Sequence, residues 1–401
     1  MSKESNIDMT HGEPFKLLIV YSFPILLGSL FQQLYNMVDT IIVGRFLGPD
    51  ALAAVGNTGP MNFLIFGFLY GMTSGFAVIT AQRFGANDME GLKRSVAMNI
   101  ILNLASGIVI TILACSLTMP LLRLINTPEN IIKQSFSYIF TIFAGTLTIV
   151  LYNGCTCVLR AVGDSRTPLY FLIISSILNI ILDIVFIANF KLGVMGAALA
   201  TVFSQGVSGI LSLIWIFVKY PILIPKKQHF AGNKKFAIQH LKIGLNMGFQ
   251  FSITAIGTIV LAGALNLFGS TKIAAYTAAQ KVEQLVTVAA GVMGVTIANY
   301  GGQNLGAGRI DRIKEGLTKS IIISVAFSII AAILAWVFSD QLIGLFLEQK
   351  NMTSEVWQEI LEASRTYLHI CSIFFPVLFV IFIYRNVLQS IGKGFWPLRN
   401  C

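Results

Sequence analysis

The chain has 401 residues, of which 55% are hydrophobic and only 11% are charged, whereas soluble domains usually carry about 25% charged residues. This composition excludes a water-soluble domain and indicates that lipid surrounds most of the chain. The formal net charge of +10 does not indicate nucleic-acid binding, because the Lys and Arg residues lie in short segments between apolar runs, as loop charges do in membrane proteins.

Taken in chain order, ten apolar runs are bounded by Gly, Pro or charged residues, and each is long enough for the roughly 20 residues that span a hydrocarbon core. They predict membrane-spanning helices at 16–43, 52–81, 95–118, 132–159, 168–189, 195–218, 243–267, 276–300, 318–338 and 366–391. The first run is too long for the apolar region of a signal peptide and has no small-residue cleavage site, so we expect it to be retained.

One long polar connection, 219–242, separates the sixth and seventh predicted spans. It predicts a linker between an N-terminal lobe, 1–218, and a C-terminal lobe, 243–401. When the loops are assigned to alternate sides, most of the 28 Lys and Arg residues fall on the side of the N-terminus. The positive-inside rule therefore predicts a multi-pass protein of the plasma (inner) membrane with a cytoplasmic N-terminus.

The chain also repeats itself. A single ungapped shift lays Gln82 and Gly85 on Gln303 and Gly306, in two loops that fall on the same side. The loops are predicted to be helix caps and tight turns, and the repeats are predicted to run parallel, related by an axis along the membrane normal. The fifth and sixth spans have no counterpart before Cys401, so the second bundle is predicted to be incomplete, with four helices against six.

Three carboxylates lie within predicted spans: Asp39, Asp183 and Glu283. A charge near the bilayer centre costs at least about 2.5 to 3.5 kcal/mol, so each is a functional candidate. Asp39, Asp183 and Thr201 lie at similar depths, within about 6 to 9 Å of the predicted outer helix ends at 1.5 Å per residue. Asn179 precedes Asp183 by one helical turn, on the same face.

Two carboxylates, an amide and a hydroxyl could together bind a proton or Na⁺ through oxygen ligands. The alternative is that Asp39 caps a helix or reaches the interface and that Asp183 is a satisfied structural group. For Glu283, a local salt bridge with Lys281 is at least as good an interpretation as contact with a ligand.

Sparse polar side chains also lie on the faces of the predicted spans, among many Phe and Met residues. Such surfaces are typical of a cavity for amphipathic organic molecules. The candidates are Gln32, Asn36, Asn153, Gln250 and Gln280. Pro24 interrupts the first span, where it predicts either a hinge or a purely structural kink.

Enzymatic function has little support. The segment GVSG at 206–209 could suggest an intramembrane serine protease, but no histidine is predicted within reach of Ser208 as the base. A GxxxxGK[ST] phosphate loop is absent, and the five cysteines contain no CxxC pair that would indicate zinc or disulfides. We therefore expect no catalytic residues, no metal site beyond possible Na⁺ and no cofactor, with energy supplied by an ion gradient.

Three motifs resemble a known family. FPILLGSLFQQLYNMVDTIIVGRFLGPDALAAVG, the loop AQRFGAND with its repeat GQNLGAGR, and VLRAVGDSRTP are similar to segments of the multidrug and toxic compound extrusion (MATE) transporters. The resemblance implies an all-α, V-shaped fold of two six-helix lobes, here without the last two helices. It also implies export of organic, often cationic, compounds driven by entry of Na⁺ or H⁺.

The resemblance assigns roles to individual residues. Asp39 matches the aspartate of the first helix, and Asn179, Asp183 and Thr201 match the rest of an N-lobe cation site. Asn153 matches an asparagine linked to that site. Pro24 matches the proline where the first helix bends, and Gln32 aligns with a glutamine of the cavity.

These observations together predict a monomeric secondary antiporter that exports small organic, cationic or amphipathic compounds in exchange for Na⁺ or H⁺. Gln280 and Glu283 are further candidates for its substrate cavity. No acid lies in the seventh or tenth predicted span, where one branch of the family has one, so coupling through the second lobe is not expected. The alternative carrier is a flippase for lipid-linked sugars, which a cationic central cavity would favour; few Lys or Arg residues lie within the predicted spans.

Overall fold

The computed structural model describes residues 7–231, 234–345 and 353–392, and these residues form helices and connecting turns without a strand. The α-helices are α1 (Pro14–Leu47), α2 (Pro49–Asn57), α3 (Gly59–Gly85), α4 (Met89–Leu124), α5 (Glu129–Ala144), α6 (Thr146–Ala161), α7 (Arg166–Ile184), α8 (Val194–Lys219), α9 (Lys234–Leu265), α10 (Gly269–Gly306), α11 (Ile310–Val337), α12 (Ser339–Gly344) and α13 (Ser354–Ser390). The predicted all-α polytopic membrane fold is thereby confirmed.

The predicted spans correspond to these helices, with internal breaks that the sequence pattern did not predict. Within the described ranges, eight helices are long and apolar enough to cross a membrane, and α5 with α6 forms a ninth, bent by 48°. The span predicted at 52–81 is divided into α2 and α3, and α7 ends in a π-helical turn over Val185–Asn189. The seventh predicted span coincides largely with α9.

Apolar clusters show which helices belong together. One cluster joins α1, α4, α5 and α8 through buried residues such as Val43, Leu122, Phe143 and Ala197. A second cluster joins the N-terminal part of α1 to α10, α11 and α13. Helix α1 therefore packs against helices of both predicted lobes. The lobe and linker boundaries at 218, 219–242 and 243 remain predictions.

Helices α3 and α9 approach each other backbone to backbone. A Cβ atom on Gly71 would lie 2.5 Å from the carbonyl oxygen of Met247, and one on Gly75 would lie 2.6 Å from the Cα atom of Gly244. Small residues permit this separation and replace side-chain packing with direct backbone contact. The contact joins a helix before residues 219–242 to one after them.

Glycines make a second and reciprocal contact where α3 and α10 end. A Cβ atom on Gly85 would overlap the backbone carbonyl of Gln303, and a Cβ atom on Gly306 would overlap that of Gln82. The ungapped shift pairs these same four residues. A reciprocal contact of this kind is what a two-fold axis produces, which agrees with the predicted parallel repeat.

The two glutamines extend the reciprocity with hydrogen bonds. Gln82 donates through Nε2 to the carbonyl oxygen of Ser390 at 2.7 Å, and Gln303 donates through Nε2 to that of Ala161 at 2.9 Å. Each glutamine thus binds the end of a helix on the opposite side of the approximate axis. We call these two bonds and the glycine contacts the glutamine clamp, and the end of the bundle that carries it the N-terminal face.

The N-terminal segment 7–12 crosses this face. Ile7 donates its backbone N–H to the carbonyl oxygen of Gly163 at 3.1 Å, and the fully buried Met9 donates its own to Oε1 of Gln303 at 3.1 Å. Asn304 in turn donates to the carbonyl oxygen of Met9 at 3.0 Å. The segment therefore ties the loop after α6 to α10.

The glycines of the clamp give a stability prediction. Gly85→Ala and Gly306→Ala are each expected to lower the thermal unfolding midpoint of the purified protein, with a loss of about 1 to 3 kcal/mol, because the added methyl group meets backbone that cannot rotate away. Gly257→Ala is the matched control, since no atom lies within 4 Å of the added Cβ. Equal midpoints for Gly85→Ala and Gly257→Ala would contradict the close approach.

Candidate functional site

Two carboxyl groups meet near the end of the bundle opposite the N-terminal face. Asp39 of α1 and Asp183 of α7 are both buried, and their side chains lie within hydrogen-bonding reach of each other. The Oδ1 atom of each has no hydrogen-bond partner among the described residues. Two adjacent carboxylates repel each other in a medium of low dielectric constant, so a proton or a cation is required to hold them together.

An amide and two hydroxyl groups surround this pair. With its amide nitrogen towards the acid, Asn179 donates to Oδ2 of Asp183 at 2.9 Å and accepts from the backbone N–H of Thr201 at 3.1 Å. The hydroxyl oxygens of Thr201 and Tyr35 are 3.4 Å apart. The structure thus brings together Asp39, Asn179, Asp183 and Thr201, four of the five residues predicted for the cation site; the fifth is Asn153. Tyr35 was not among the residues predicted for this site.

The local backbone explains why these groups converge. Asp183 lies in the last turn of α7, directly before the π-helical turn over Val185–Asn189. The wider turn changes the direction of the side chains before the chain returns in α8, and π-helical turns are frequent at functional sites. Thr201 then lies in the second turn of α8, at a depth similar to that of Asp183.

Other predicted residues lie apart from the carboxyl pair. Asn153 is half-buried on α6, and no hydrogen bond of the described residues joins it to Asp39 or Asp183. Pro24 lies within an unbroken α1, about 22 Å along the helix from Asp39 at 1.5 Å per residue. Its role as a hinge remains a prediction.

The predicted salt bridge of Glu283 is replaced by another contact. The hydroxyl group of Tyr367 on α13 donates to Oε2 of Glu283 at 2.6 Å, and Lys281 is exposed. Neither Glu283 nor Gln280 lines the main cavity. Their assignment as substrate-cavity residues remains a prediction.

A central cavity of about 320 Å³ lies between α1, α3, α6, α9, α10 and α13. The predicted cavity residues Gln32, Asn36 and Gln250 line it, with apolar wall residues such as Phe251 and Phe382. Sparse polar groups on mostly apolar walls are typical of sites for small organic molecules. These three predicted residues therefore lie in the lining of the cavity.

Two arginines also line the cavity, and the count of loop charges misplaced both. Arg160 and Arg385 face the cavity, and no Asp or Glu of the described residues lines it. Few basic groups lie within the predicted spans, but these two arginines lie at the cavity. Arg385 falls inside the predicted span at 366–391, and the cost of a charge in that position was the signal that could have identified it.

The motif VLRAVGDSRTP has a structural explanation. Asp164 is fully buried and accepts hydrogen bonds from the backbone N–H groups of Arg166 at 3.1 Å and Thr167 at 2.9 Å. It also accepts one from the hydroxyl group of Tyr220 at 2.7 Å. The aspartate thus satisfies the free N–H groups at the start of α7 and ties them to the end of α8.

Ser208 of the GVSG segment is likewise structural. Its hydroxyl group is buried and donates to the carbonyl oxygen of Phe171 at 2.9 Å. Among the described hydrogen bonds none joins Ser208 to a histidine, and a serine nucleophile needs such a base. The geometry offers no support for a serine protease.

Comparison with known proteins identifies the family. The MatE family model matches residues 24–185 and 243–399. The chain belongs to the MatE family. The two matched segments lie on either side of residues 219–242, so each half of the chain matches separately. The protein is accordingly a multi-pass membrane transporter.

Relatives and a solved structure cover most of the chain. The probable multidrug resistance protein YoeA of Bacillus subtilis is 30% identical over 359 residues, which are 87% of this chain and 78% of YoeA. The probable multidrug resistance protein YpnP of the same organism is 27% identical over 405 residues, 98% of this chain and 88% of YpnP.

The solved structure of a MOP superfamily transporter from Pyrococcus furiosus superposes on this chain with a TM-score of 0.91 at 25% identity. For that protein, a reverse polarity of the binding pocket suggests a different function. The match covers all of this chain and 87% of that protein.

Asp164, a buried helix cap, and Asp88, a more exposed one, can be compared by matched substitutions. Asp164→Ala is expected to reduce the free energy of unfolding by about 3 to 5 kcal/mol, because it leaves several buried donors without a partner. Asp88→Ala removes a cap that accepts from Gly91 at 2.8 Å at the exposed start of α4 and should cost only about 1 kcal/mol. Thermal unfolding of both variants checks this order; a loss for Asp164→Ala no larger than for Asp88→Ala would contradict a structural role.

Proposed function

We propose that this MATE-family protein exports small organic compounds in exchange for Na⁺ or H⁺ that binds at Asp39 and Asp183. The single observation that carries the proposal is the buried contact between these two carboxyl groups, each with an oxygen that has no hydrogen-bond partner. Such a pair is stable only when a cation or proton neutralises it. The packing of α1 against α7 therefore depends on whether an ion or a proton is bound.

Helix α1 connects the carboxyl pair to the cavity. Asp39 is buried against α7, while Gln32 and Asn36 of the same helix line the central cavity. Neutralisation of the pair brings α1 and α7 together, and loss of the ion separates them. Because Pro24 removes one backbone hydrogen bond from α1, the helix can bend there and alter the cavity wall that holds the substrate.

The proposed orientation places the N-terminal face in the cytoplasm of the cell, in the plasma membrane. Support comes from the excess of basic loops on that side and from the glutamine clamp, which holds the helices together there. In this orientation the cavity exchanges with the outside, and the coupling ion enters from the same side. The protein acts as a monomer, without a cofactor and without enzymatic activity.

The coupling site predicts the behaviour of two acidic variants. In proteoliposomes, transport of the xanthene dyes fluorescein and rhodamine 123 is measured under a Na⁺ gradient and under a pH gradient. Asp39→Asn and Asp183→Asn should each abolish the stimulation of dye transport by the gradient, because the amide cannot release a proton or balance a cation. Asp50→Asn, on the exposed first turn of α2, is the control and should keep it. Unchanged stimulation in both site variants would refute the coupling role.

Thr201 separates the two candidate ions. Thr201→Val keeps the shape of the side chain and removes the hydroxyl oxygen that would serve as a Na⁺ ligand. If Na⁺ is the coupling ion, stimulation by the Na⁺ gradient should fall by about tenfold or more, corresponding to one lost ligand worth roughly 1.4 kcal/mol. If H⁺ is the coupling ion, stimulation by the pH gradient should persist. Unchanged stimulation by a Na⁺ gradient in Thr201→Val would exclude Thr201 as a Na⁺ ligand.

A second candidate function is a flippase for lipid-linked sugars. The observation that favours it is the pair Arg160 and Arg385 in the cavity, since such lipids carry phosphate groups. A flippase would move a lipid between leaflets without any imposed ion gradient. Gradient-dependent movement of a soluble dye favours the antiporter instead.

A further inference from the structure

The lining of the central cavity contains basic side chains and, among the described residues, no acidic one. The basic groups are the guanidinium groups of Arg160 and Arg385. Every other polar group named for it is an amide or a hydroxyl. A cationic substrate would therefore have to enter a space that already repels it, at the low dielectric constant of a membrane interior.

Arg160 brings one of these charges to the base of the cavity. It lies in the last turn of α6, beside the phenol groups of Tyr21, Tyr70 and Tyr152. Its Nε atom is buried without a hydrogen-bond partner, and no ion pair of the described residues includes Arg160. A guanidinium group in such a position is stabilised when a carboxylate or phosphate accepts its N–H groups.

Arg385 brings the second charge from α13. With the amide of Gln250 turned to present its oxygen, Nε and Nη1 of Arg385 each donate to it at 2.7 Å. The guanidinium carbon lies 4.1 Å from the centre of the Phe382 ring. These two contacts fix the plane of the guanidinium group, and a planar donor held in one orientation is suited to bidentate binding of an anion.

The acids of the protein lie elsewhere. Asp39 and Asp183, which attract a cation, are absent from the cavity lining. The apolar part of that lining, Met247, Phe251 and Val292 among others, provides room for an aromatic or aliphatic body. Cation and substrate therefore meet surfaces of opposite charge at different positions along α1, where Gln32 and Asn36 line the cavity and Asp39 lies outside its lining.

We propose that the central cavity binds an organic anion, with an apolar body against α9 and α10 and a carboxylate, sulfonate or phosphate group on Arg160 and Arg385. The inference rests on the proposed function only in treating this cavity as the substrate site. It replaces the expectation of a cationic substrate. The anionic group belongs either to a soluble compound or to the phosphate of a lipid headgroup.

Two dyes of the same xanthene core and opposite charge test the proposal. Binding of anionic fluorescein and cationic rhodamine 123 to the purified 401-residue chain is measured by fluorescence polarisation. The wild-type protein should bind fluorescein at least about tenfold more tightly than rhodamine 123, because one charge-assisted hydrogen bond already accounts for that factor. Preference for rhodamine 123 would overturn the proposal without any variant being needed.

Variants then locate the binding groups. Arg160→Gln and Arg385→Gln should each weaken fluorescein binding by about tenfold and leave rhodamine 123 binding unchanged or stronger. Arg385→Lys keeps the charge and should lose less. Arg166→Gln, an exposed arginine outside the cavity, removes the same charge and should change nothing. Equal weakening by Arg166→Gln, or no effect of both cavity variants in monodisperse protein, would refute the assignment.

A lipid arm distinguishes the two sources of the anionic group. Movement of a fluorescent phosphatidylglycerol between leaflets of proteoliposomes is followed by quenching from outside, with and without the Arg160→Gln change. Arginine-dependent movement of this lipid, with weak binding of fluorescein, assigns the lipid phosphate; arginine-dependent binding of fluorescein assigns a soluble anion. Binding of fluorescein without gradient-driven transport would support the anion site and refute the antiporter function. Gradient-driven transport of rhodamine 123 alone would support the antiporter function and refute the anion site.

Discussion

The glutamine clamp joins the two halves of the chain at the N-terminal face of the bundle. Gln82 and Gln303 exchange hydrogen bonds with Ser390 and Ala161 across an approximate two-fold axis, and glycines at both helix ends let the backbones touch. Gln303 also uses its amide oxygen to accept from Met9. Because the halves are joined at one face by backbone contact, they can diverge towards the other and leave a space between them.

Helix α1 is the element that belongs to neither half alone. Its C-terminal part packs against α4, α5 and α8, and its N-terminal part packs against α10, α11 and α13. It contributes Asp39 to the buried acid pair and Gln32 to the cavity. A single helix thus joins the acid pair to the cavity, and in the proposed mechanism a rotation or bend of α1 would change both at once without any contact between ion and substrate.

Much of this architecture follows from the sequence. The cost of burying carboxylates selected Asp39 and Asp183, which the structure places side by side. The shifted repeat paired Gln82 and Gly85 with Gln303 and Gly306, but it did not predict that the two loops are in contact. Arg160 and Arg385 were missed because a rule that counts charges by side treats every basic residue as a loop residue. The break at Thr58, between α2 and α3, and the bend between α5 and α6 were not predicted. The length of an apolar run indicates how far a helix extends but not whether it bends. The hydrogen bond from Tyr367 to Glu283 joins residues far apart in the sequence, so it could not be predicted from local patterns.

The separation of acids from arginines has an electrical consequence. An exchanger of a cation for a cation of equal charge moves no net charge and is indifferent to the membrane potential. In the exchange proposed here, the inward-moving ion is positive and the outward-moving compound is negative, so both movements would carry positive charge inward. Each elementary charge gains about 2.3 kcal/mol per 100 mV. The membrane potential then drives the exchange twice over, and transport produces a measurable current.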